Sequence, residues 1–401
     1  MKYVVLVGDG MADYPVRELG NKTPLEAAKI PNMDFLARKG RTGLVRTVPG
    51  GFAPASDVAN LSIIGYDPEK YYSGRGPLEA ANMGIKLGPD DIAFRCNLVT
   101  VDNGLMSDYS AGHITTEEAA SLIKSLDKTL GSEKIRFYPG VSYRHLMIVR
   151  DGSLKDALRK AECVPPHDIT GSPIKGHLPK GEGAEFLVKL MQDSRAPLSA
   201  HEINHVRIDL KENPANMIWL WGQGVDANMP KFKDLYGSEG SVISAVDLIK
   251  GIGKTIGLDV INVPGATGYY DTDYQGKAKY ALDSLKQKDF VFVHVEAPDE
   301  AGHNGDLRAK MTAIENFDRF IVGAVLKRFK DKEDFRVMVL PDHFTPVSLR
   351  THTAEPVPFA IYGKGIEPGK NAATAFSESA AKNSGLFFEH GKELMHNFMA
   401  S

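Results

Sequence analysis

Short, continuously apolar runs alternate with amphipathic segments at both ends of the chain. The run YVVLVG near the N terminus and the later runs FVFVHV and RVMVL are rich in β-branched residues. This pattern is typical of strands that are buried on both faces of a parallel sheet. Between the first two runs, TPLEAAKIPNMDFLARKG predicts a helical segment that starts at Thr23, breaks at Pro31 and stops at Gly40. The two chain ends therefore predict a doubly wound, mainly parallel α/β sheet.

The pattern changes in the middle of the chain, from about Asp91 to about Asn213. IAFRCNLVTV and RHLMIVR predict strands, whereas TTEEAASLIKSLDKTLG and GAEFLVKLMQDS predict amphipathic helices. Because these elements do not alternate strictly, they favour an α+β module. NMIWLWGQG then resumes the buried-strand pattern. We therefore expect a core formed by residues 1–90 and 214–401, with an inserted α+β domain formed by residues 91–213.

Composition and charge narrow the classes of partner. A chain of 401 residues is long enough for about two domains. Its net charge of −3 gives no reason to expect nucleic acid or an anionic membrane as a partner. The two cysteines do not make a disulfide framework, and we find neither a signal peptide nor an apolar stretch that would span a membrane. We expect a soluble cytoplasmic protein; the sequence leaves its oligomeric state open.

Acidic and imidazole side chains follow three of the predicted buried strands. Open α/β sheets bind ligands beyond the carboxyl ends of their strands. Oxygen and nitrogen ligands without cysteine fit Mn²⁺, Mg²⁺ or Zn²⁺, and a mixture of aspartate and histidine favours Mn²⁺ or Zn²⁺. Each short motif alone is more often a helix cap or an ion pair, but their joint placement favours a metal site. The candidate ligands are Asp9, Asp299, His303, Asp342, His343 and His352.

Ser56, in GFAPASDVANL, is the candidate nucleophile. A serine hydroxyl needs a base or a metal to activate it, and no GxSxG elbow surrounds this one, so acyl chemistry is disfavoured. Coordination to a cation would stabilise its alkoxide. The alternative is that Ser56 is simply the N-cap of the helix predicted after it. The residues alone leave both interpretations open, and they are compatible with each other.

An anionic substrate would need basic residues and metal ions to hold it. Arginine offers a planar fork that matches phosphate, and Arg75 lies between glycines that let the backbone approach a ligand closely. Solvated surface is the alternative for these side chains. The candidate substrate contacts are Arg75, His113, Arg144, His167 and Asp168. His294, inside FVFVHVEAP, is interpreted as a core histidine, and GATGYYDTDYQGKA as a loop at the rim of the site.

Several segments together resemble a known family. DGMAD, ASDVANLSIIGYDP, SGRGPLEAANMGI, PGATGYYDTDY, PDEAGHNGD and LPDHFTPVSLRTHTAEPVPF resemble, in this order, the archaeal-type 2,3-bisphosphoglycerate-independent phosphoglycerate mutases of the alkaline phosphatase superfamily. The resemblance covers essentially the whole chain. It implies a core with two divalent metal ions, usually manganese with zinc, magnesium or cobalt as alternatives. It also implies an inserted domain that closes over a small phosphorylated metabolite.

The resemblance also implies roles for particular residues. Asp299, His303 and His352 would hold one cation. The second cation would be held by Asp9, Ser56, Asp342 and His343. Ser56 would take the phosphoryl group from 3-phosphoglycerate and return it to the 2-hydroxyl of the retained glycerate. Within the insert, the roles of His113, Arg144, His167 and Asp168 rest on position alone.

Three other functions use the same residues. Chains with ASDVANLSIIGYDP and AFRCNLVTV also resemble a subgroup proposed to make phosphohomoserine, which would differ only in the acceptor pocket. A metal-dependent phosphatase or phosphodiesterase could use the same core with a site open to water. A regulatory module that binds phosphometabolites without turnover is the fourth possibility, but the intact nucleophile and ligand set disfavour it.

Overall fold

A computed structural model of the chain describes residues 1–329, 334–369 and 371–400. Residues 330–333, which belong to the last predicted helix–strand unit, lie outside the described residues. The chain forms two compact units: Met1–Tyr72 with Met229–Ser401, called here the core, and Ser73–Asn228, called here the insert. The sequence places the two boundaries at residues 90 and 213, so residues 73–90 and 214–228 belong to the insert in the structure and to the core in the sequence expectation.

The strands are numbered in chain order. They are β1 (Lys2–Gly8), β2 (Arg41–Val45), β3 (Asp91–Asp102), β4 (Leu105–Asp108), β5 (Ile135–Tyr138), β6 (Arg144–Arg150), β7 (Met217–Gly224), β8 (Gly240–Ile243), β9 (Asp259–Val260), β10 (Phe290–Val295), β11 (Phe335–Leu340), β12 (Val357–Gly363) and β13 (Phe387–Phe388).

The helices are also numbered in chain order. They are α1 (Pro24–Ala27), α2 (Pro31–Lys39), α3 (Ser56–Ile63), α4 (Pro68–Tyr71), α5 (Arg75–Asn82), α6 (Thr116–Thr129), α7 (Gly152–Lys160), α8 (Ala184–Asp193), α9 (Arg195–Ser199), α10 (Glu202–Asp209), α11 (Phe232–Tyr236), α12 (Asp247–Thr255), α13 (Tyr274–Ser284), α14 (Ala297–Asn304), α15 (Leu307–Asn316), α16 (Gly323–Phe329), α17 (Glu378–Ser384) and α18 (Gly391–Met399). Short 3₁₀ turns occur at Arg17–Leu19, Pro166–Ile169 and Ile174–Gly176, and a π-helical turn at Phe317–Val322 joins α15 to α16.

The core is built on one sheet with the strand order β13-β2-β12-β11-β1-β10-β8-β9 among the described residues. β11, β1, β10, β8 and β9 pair in parallel, whereas β12 is antiparallel to both of its neighbours. The predicted mainly parallel α/β sheet is therefore confirmed. The three central strands are buried along almost their whole length, which explains why they lack a polar face in the sequence.

Local signals in the sequence set the helix that follows β1. Thr23 and Glu26 form a capping box at the start of α1, α2 begins at Pro31, and Gly40 is the C-cap that ends α2. The helix buries Met33 and Leu36 against the sheet in a cluster that also contains Ile314 and Phe317. The predicted start, break and stop of this segment are therefore confirmed.

The insert contains an antiparallel sheet in which β3 is the central strand. β3 pairs with β4, β6 and β7, and β6 also pairs with β5. The α5 helix packs against β3 and β7. These contacts explain the difference in boundaries: NMIWLWGQG has the pattern of a buried strand, but its hydrogen-bond partner is β3 of the insert. Sequence pattern identifies a strand without identifying its neighbour.

Helix hydrophobicity and the state of the cysteines both bear on what the sequence predicts. No helix within residues 1–329, 334–369 and 371–400 is both long and apolar enough to cross a membrane. Cys96 and Cys163 are free thiols, Cys96 buried in the insert and Cys163 half-buried.

Candidate active site

The candidate ligands lie where neighbouring parallel strands of the core end. Asp9 directly follows β1, and α14, which follows β10, carries Asp299 and His303. Asp342 and His343 come two and three residues after the end of β11. Because β11, β1 and β10 are adjacent and parallel, their carboxyl ends share one edge of the sheet. Residues that are hundreds of positions apart in sequence are thereby brought within contact distance.

Asp299, His303 and His352 form the first group. The Nε2 atoms of His303 and His352 each lie 3.2 Å from a carboxylate oxygen of Asp299 and 2.8 Å from one another. Nδ1 of His303 lies 3.1 Å from the carbonyl oxygen of Arg350, and Nδ1 of His352 lies 3.3 Å from that of Pro54. A carbonyl oxygen only accepts, so both Nδ1 atoms carry a proton, and in the neutral rings that bind metal the lone pair is on Nε2. Two lone pairs and a carboxylate that converge in this way fit a divalent cation.

Asp9, Asp342, His343 and Ser56 form the second group. The Nε2 atom of His343 lies 3.4 Å from Oδ1 of Asp9, 3.6 Å from Oδ2 of Asp342 and 3.0 Å from Oγ of Ser56. Oδ1 of Asp9 is buried and has no hydrogen-bond partner among the described residues. Because a buried carboxylate oxygen without a partner is costly, this atom also fits a cation.

The two groups adjoin through the histidines. The rings of His343 and His352 are 4.0 Å apart, and ligand atoms of Asp299, His343 and His352 all lie within 4.8 Å of one another, as do those of Asp9, Asp342 and His343. His343 thus belongs to both clusters. The arrangement suits two cations close together, which is the geometry used to clamp the attacking and leaving oxygens of a phosphoryl transfer.

The pKa values of these groups reflect burial and mutual charge. Burial, and then the charges of Asp342 and Asp299, raise the pKa of Asp9 well above its ordinary value. Burial would also raise the pKa of Asp299, but hydrogen bonds with His303 and His352 outweigh it and hold that pKa well below normal. The hydrogen bond to Asp299 raises the pKa of His303 to about 9. Several buried carboxylates repel one another in this site, so a bound cation would stabilise their ionised forms.

Ser56 is the first residue of α3, and Ala55 is the N-cap. The Ser56 hydroxyl does not cap the helix; it points to Nε2 of His343. The sequence left N-cap and nucleophile open, and in the structure the N-cap is Ala55 instead of Ser56. Asn60, one turn further along α3, donates hydrogen bonds to the backbone oxygen of Ser56 and to Oδ2 of Asp342, both 2.8 Å long, which ties the start of the helix to the second group.

The segment predicted as a rim loop contacts the end of α14, the helix that carries Asp299 and His303. Tyr270 accepts a 2.8 Å hydrogen bond from Asn304, which is the neighbour of His303 in sequence. Asp273 caps α13. Lys277, by contrast, is fully buried and does not line any rim.

The five candidate substrate contacts of the insert lie in one cluster of cations and aromatic rings. The guanidinium of Arg75 and the ring of His167 lie 5.4 Å and 5.3 Å from the ring of Trp221. The members of the cluster predicted from sequence are Arg75, His113, Arg144, His167 and Asp168. Nε2 of His167 is 3.6 Å from the carboxylate of Asp168. Burial, against the charge of Asp168, lowers the pKa of His167.

Tyr143 connects the remaining two candidates to this cluster. The ring of His113 and the guanidinium of Arg144 lie 6.2 Å and 5.6 Å from the Tyr143 ring. The ring of Tyr109 is 5.6 Å from that of Tyr143 and 6.1 Å from that of His167. Nε of Arg144 is buried without a hydrogen-bond partner among the described residues. A guanidinium with an unused buried donor is suited to an anion.

Sequence reasoning missed Arg95 and the aromatic rings of this cluster, those of Trp221, Tyr143 and Tyr109. Arg95 is buried, lies 4.6 Å from the ring of Trp221 and pairs with Glu79 at 3.3 Å. Burial lowers the pKa of Arg95, and the charges of Arg75 and Arg144 act in the same direction. A signal existed for Arg95, because it is a lone charge inside the apolar run IAFRCNLVTV. Trp221 gave no comparable signal, since a tryptophan in an apolar strand is usually core.

Comparisons with known proteins identify the family of the chain. The profile of the family described as 2,3-bisphosphoglycerate-independent phosphoglycerate mutase matches residues 37–204. The chain is 54% identical, over 98% of both chains, to the 2,3-bisphosphoglycerate-independent phosphoglycerate mutase of Methanosarcina acetivorans. Two solved structures are similar. A protein from Pyrococcus horikoshii has 31% sequence identity and a TM-score of 0.83, and the match covers 99% of this chain and 97% of that one. The cofactor-independent phosphoglycerate mutase of Thermoplasma acidophilum has 27% identity and a TM-score of 0.66, and the match covers 100% of this chain and 99% of that one. The chain therefore belongs to the family of 2,3-bisphosphoglycerate-independent phosphoglycerate mutases, which are isomerases.

Proposed function

We propose that this chain interconverts 3-phosphoglycerate and 2-phosphoglycerate without 2,3-bisphosphoglycerate, through a phosphoserine at Ser56. The observation that supports this most directly is the 3.0 Å contact between Oγ of Ser56 and Nε2 of His343, beside two clusters of candidate metal ligands. Family membership supplies the substrate pair, because the relatives are named for it. The proposal includes a role in glycolysis in a reducing cytoplasm, which suits the two free thiols.

The reaction consists of two phosphoryl transfers. In the first, Oγ of Ser56 attacks the phosphorus of 3-phosphoglycerate, the P–Oγ bond forms, and the bond from phosphorus to the 3-oxygen breaks. The hydroxyl proton of Ser56 is lost, and the released 3-oxygen gains a proton. In the second, the 2-oxygen of the same glycerate attacks the phosphoserine, the bond from phosphorus to the 2-oxygen forms, and the P–Oγ bond breaks. The 2-hydroxyl loses its proton, and Oγ of Ser56 regains one. Atoms and charge balance over the cycle, so no external phosphate donor is needed.

Two divalent cations, with manganese preferred over zinc, magnesium or cobalt, would neutralise the phosphoryl oxygens and stabilise the Ser56 alkoxide when bound. Asp299, His303 and His352 would hold one of them. The other would be held by Asp9, Ser56, Asp342 and His343. The protein itself positions the Ser56 hydroxyl at the start of α3 and fixes its direction through His343.

The insert would hold the anionic groups of the substrate. Its cluster brings together three arginines, Arg75, Arg95 and Arg144, and Arg95 pairs with Glu79. Guanidinium groups beside aromatic rings, with the buried Nε of Arg144 lacking a hydrogen-bond partner among the described residues, suit phosphate or carboxylate. We assign His113, His167 and Asp168 to the same binding role because they contact the cluster. In this proposal the core performs the chemistry and the insert recognises the substrate.

A coupled assay of 2-phosphoglycerate formation, with Mn²⁺ and without bisphosphoglycerate, tests the proposal. Wild-type protein is expected to convert 3-phosphoglycerate, whereas Ser56→Ala is expected to lose activity to background. Ser62→Ala is the matched control: Ser62 lies on the same helix and its hydroxyl accepts the amide of Gly391, so the same change is made away from the ligands. Equal activity in the wild type and Ser56→Ala would rule the proposal out.

Parallel reactions separate the alternative products. Steady release of inorganic phosphate from 3-phosphoglycerate, in place of 2-phosphoglycerate, would indicate a phosphatase. Formation of phosphohomoserine from homoserine and a phosphate donor, detected by mass, would indicate the transferase. Either product in place of 2-phosphoglycerate would contradict the mutase while leaving Ser56 as the nucleophile.

A further inference from the structure

A chain of buried charged groups lies behind Asp9, outside the candidate ligands. His294 on β10 and Lys277 on α13 have no exposed surface, and Glu296 is 3% exposed. From the sequence, His294 is interpreted as a core histidine, and no step of the proposed reaction uses it. Buried charges are expensive unless they are paired and hydrogen-bonded, so three of them beside a candidate metal site call for a physical explanation.

One side of the His294 ring faces the carboxylates of the second group. Its Nε2 atom lies 3.4 Å from Oδ2 of Asp9 and 3.6 Å from Oδ2 of Asp342. Asp342 is additionally fixed by the backbone amides of Gly10 and His343, at 3.0 Å and 2.9 Å. The rotation of the Asp9 carboxylate depends more on His294: with Oδ2 directed to His294, Oδ1 is directed to His343.

The other side of the ring is fixed by Glu296. Nδ1 of His294 lies 3.3 Å from Oε1 of Glu296. The same oxygen accepts hydrogen bonds from the hydroxyl of Ser244, at 2.8 Å, and from the amide of Ala245, at 2.7 Å. Lys277 donates to Oε2 of Glu296 at 2.6 Å and to the backbone oxygen of His294 at 3.0 Å. Each member therefore has partners on two sides, and the ring has little freedom to turn.

We propose that His294 is a positioning residue for the cation held by Asp9, Asp342 and His343, and that Glu296 and Lys277 fix its ring. Partners of this kind orient ligating carboxylates, and their loss typically weakens metal binding by about 10- to 100-fold. The inference rests on the metal centre of the proposed function. It extends that function by assigning an outer residue to one cation only.

Loss of His294 is expected to affect only one cation, because different partners orient the ligands of the two groups. His303 and His352 are held by the backbone oxygens of Arg350 and Pro54, and neither bond involves His294. A substitution at His294 is therefore expected to weaken one of two cation sites. A general loss of packing would weaken both sites and would also lower the thermal stability of the metal-free protein.

Calorimetric titration of metal-free, full-length protein with MnCl₂ tests the inference without measuring mutase activity. His294→Leu removes both ring nitrogens and is expected to weaken one site by about 10- to 100-fold and leave the other within a few-fold. His294→Gln can extend an amide N–H₂ to about the position of Nε2, so it is expected to restore most of the lost affinity. His145→Leu, a change at another buried histidine, is the matched control and should leave both sites unchanged.

An Asp299→Asn background identifies the affected site. This change is expected to remove the first cation site, so a further weakening caused by His294→Leu must concern the Asp9 site. Wild-type affinity at both sites in His294→Leu would overturn the inference, as would equal weakening of both sites together with a lower melting temperature of the metal-free protein. If His294→Leu does not fold, Glu296→Gln, which keeps an acceptor of the same length, must weaken the same single site for the inference to stand. Two intact manganese sites without mutase activity would refute the proposed function alone.

Discussion

The ammonium group of Lys310 lies 2.7 Å from the carboxylate of Asp13, and both side chains are fully buried in the core. Lys310, on α15, also donates hydrogen bonds to the backbone oxygens of Ala12, at 3.3 Å, and Thr345, at 2.8 Å. One side chain thus joins the loop that follows Asp9 to the loop that follows His343. Burial lowers the pKa of Lys310, and the charge and hydrogen bond of Asp13 oppose that effect.

Removing this ammonium is expected to destabilise the core strongly. Lys310→Met keeps most of the side-chain volume but leaves Asp13 buried without its counter-ion, which typically costs about 3–5 kcal/mol. Urea unfolding followed by circular dichroism measures the loss. Lys279→Met is the control, because Lys279 pairs with Asp283 on the surface, where solvent screens the pair and it contributes little to stability. Similar midpoints for Lys310→Met and Lys279→Met would show that the buried pair does not stabilise the core.

The sequence predicts the gathering of the candidate ligands for a physical reason. Asp9, Asp299 and Asp342 each follow an apolar, β-branched run, and adjacent parallel strands end at one edge of the sheet. The convergence of these strand ends can therefore be predicted without knowing how the intervening chain folds. His352 is less constrained, since it precedes an antiparallel strand, and its position follows from contacts that the pattern does not encode.

The remaining features depend on partners that are distant in sequence. The pattern of β7 gives a buried strand, but nothing in it specifies β3 of the insert as its neighbour. Lys277 and Lys310 lie in segments whose sequence predicts a solvent-exposed helix face. Their burial is explained by ion pairs, of Lys277 with Glu296 and of Lys310 with Asp13. Sequence reasoning assigns charged residues to solvent by default, so it fails where a buried counter-ion is present.

The insert should lose stability as the pH falls, because of His145. Its Nδ1 accepts the amide of Gly140 at 3.0 Å, and burial, with the charge of Arg144, lowers its pKa to about 3. The unfolded value is about 6.5, so the native state binds fewer protons between these pH values. Stability is therefore fully present above pH 6.5 and is lost as the pH falls toward 3. From pH 7.5 to pH 5 the loss attributable to this group is about 2 kcal/mol.

His145→Asn tests this sign. The asparagine oxygen can accept the amide of Gly140 but cannot be protonated in this range, so the variant should lose about 2 kcal/mol less than wild type over the same interval. Both tryptophans of the chain, Trp219 and Trp221, lie on β7, so tryptophan fluorescence reports unfolding of the insert. Parallel pH profiles for the two proteins would contradict the assignment of the acid sensitivity to His145.

Arg144 is expected to act in substrate binding rather than in the chemical step. Loss of a hydrogen bond to a charged group costs about 1.5–3 kcal/mol, so Arg144→Lys should raise KM by about tenfold or more while kcat changes little. Arg150→Lys is the matched control at the other end of β6, where the guanidinium lies 3.7 Å from Asp91. Quenching of Trp221 fluorescence by 3-phosphoglycerate gives a binding constant independent of turnover. An unchanged KM and binding constant in Arg144→Lys would exclude Arg144 from the substrate contacts.

Thr345 contacts both cation groups, and this distinguishes it from His294. Its hydroxyl donates to the carboxylate of Asp299 and lies 3.2 Å from Nδ1 of His343. The loop is closely packed there: Gly10 has a φ of 59°, and a Cβ at that position would lie 2.5 Å from the Thr345 hydroxyl oxygen. A hydroxyl between two ligands, one from each group, orients both of them at once.

Thr345→Val keeps the shape of the side chain but removes the hydroxyl, so we expect weaker Mn²⁺ binding at both sites, by about tenfold each. Thr345→Ser should restore most of the affinity, because it keeps the hydroxyl and loses only a methyl group. Thr312→Val, on the exposed face of α15, serves as the control. Manganese titration measures both constants, and kcat should fall with them because the proposed transfer uses both cations. Weakening of a single site in Thr345→Val would show that the hydroxyl orients only one ligand.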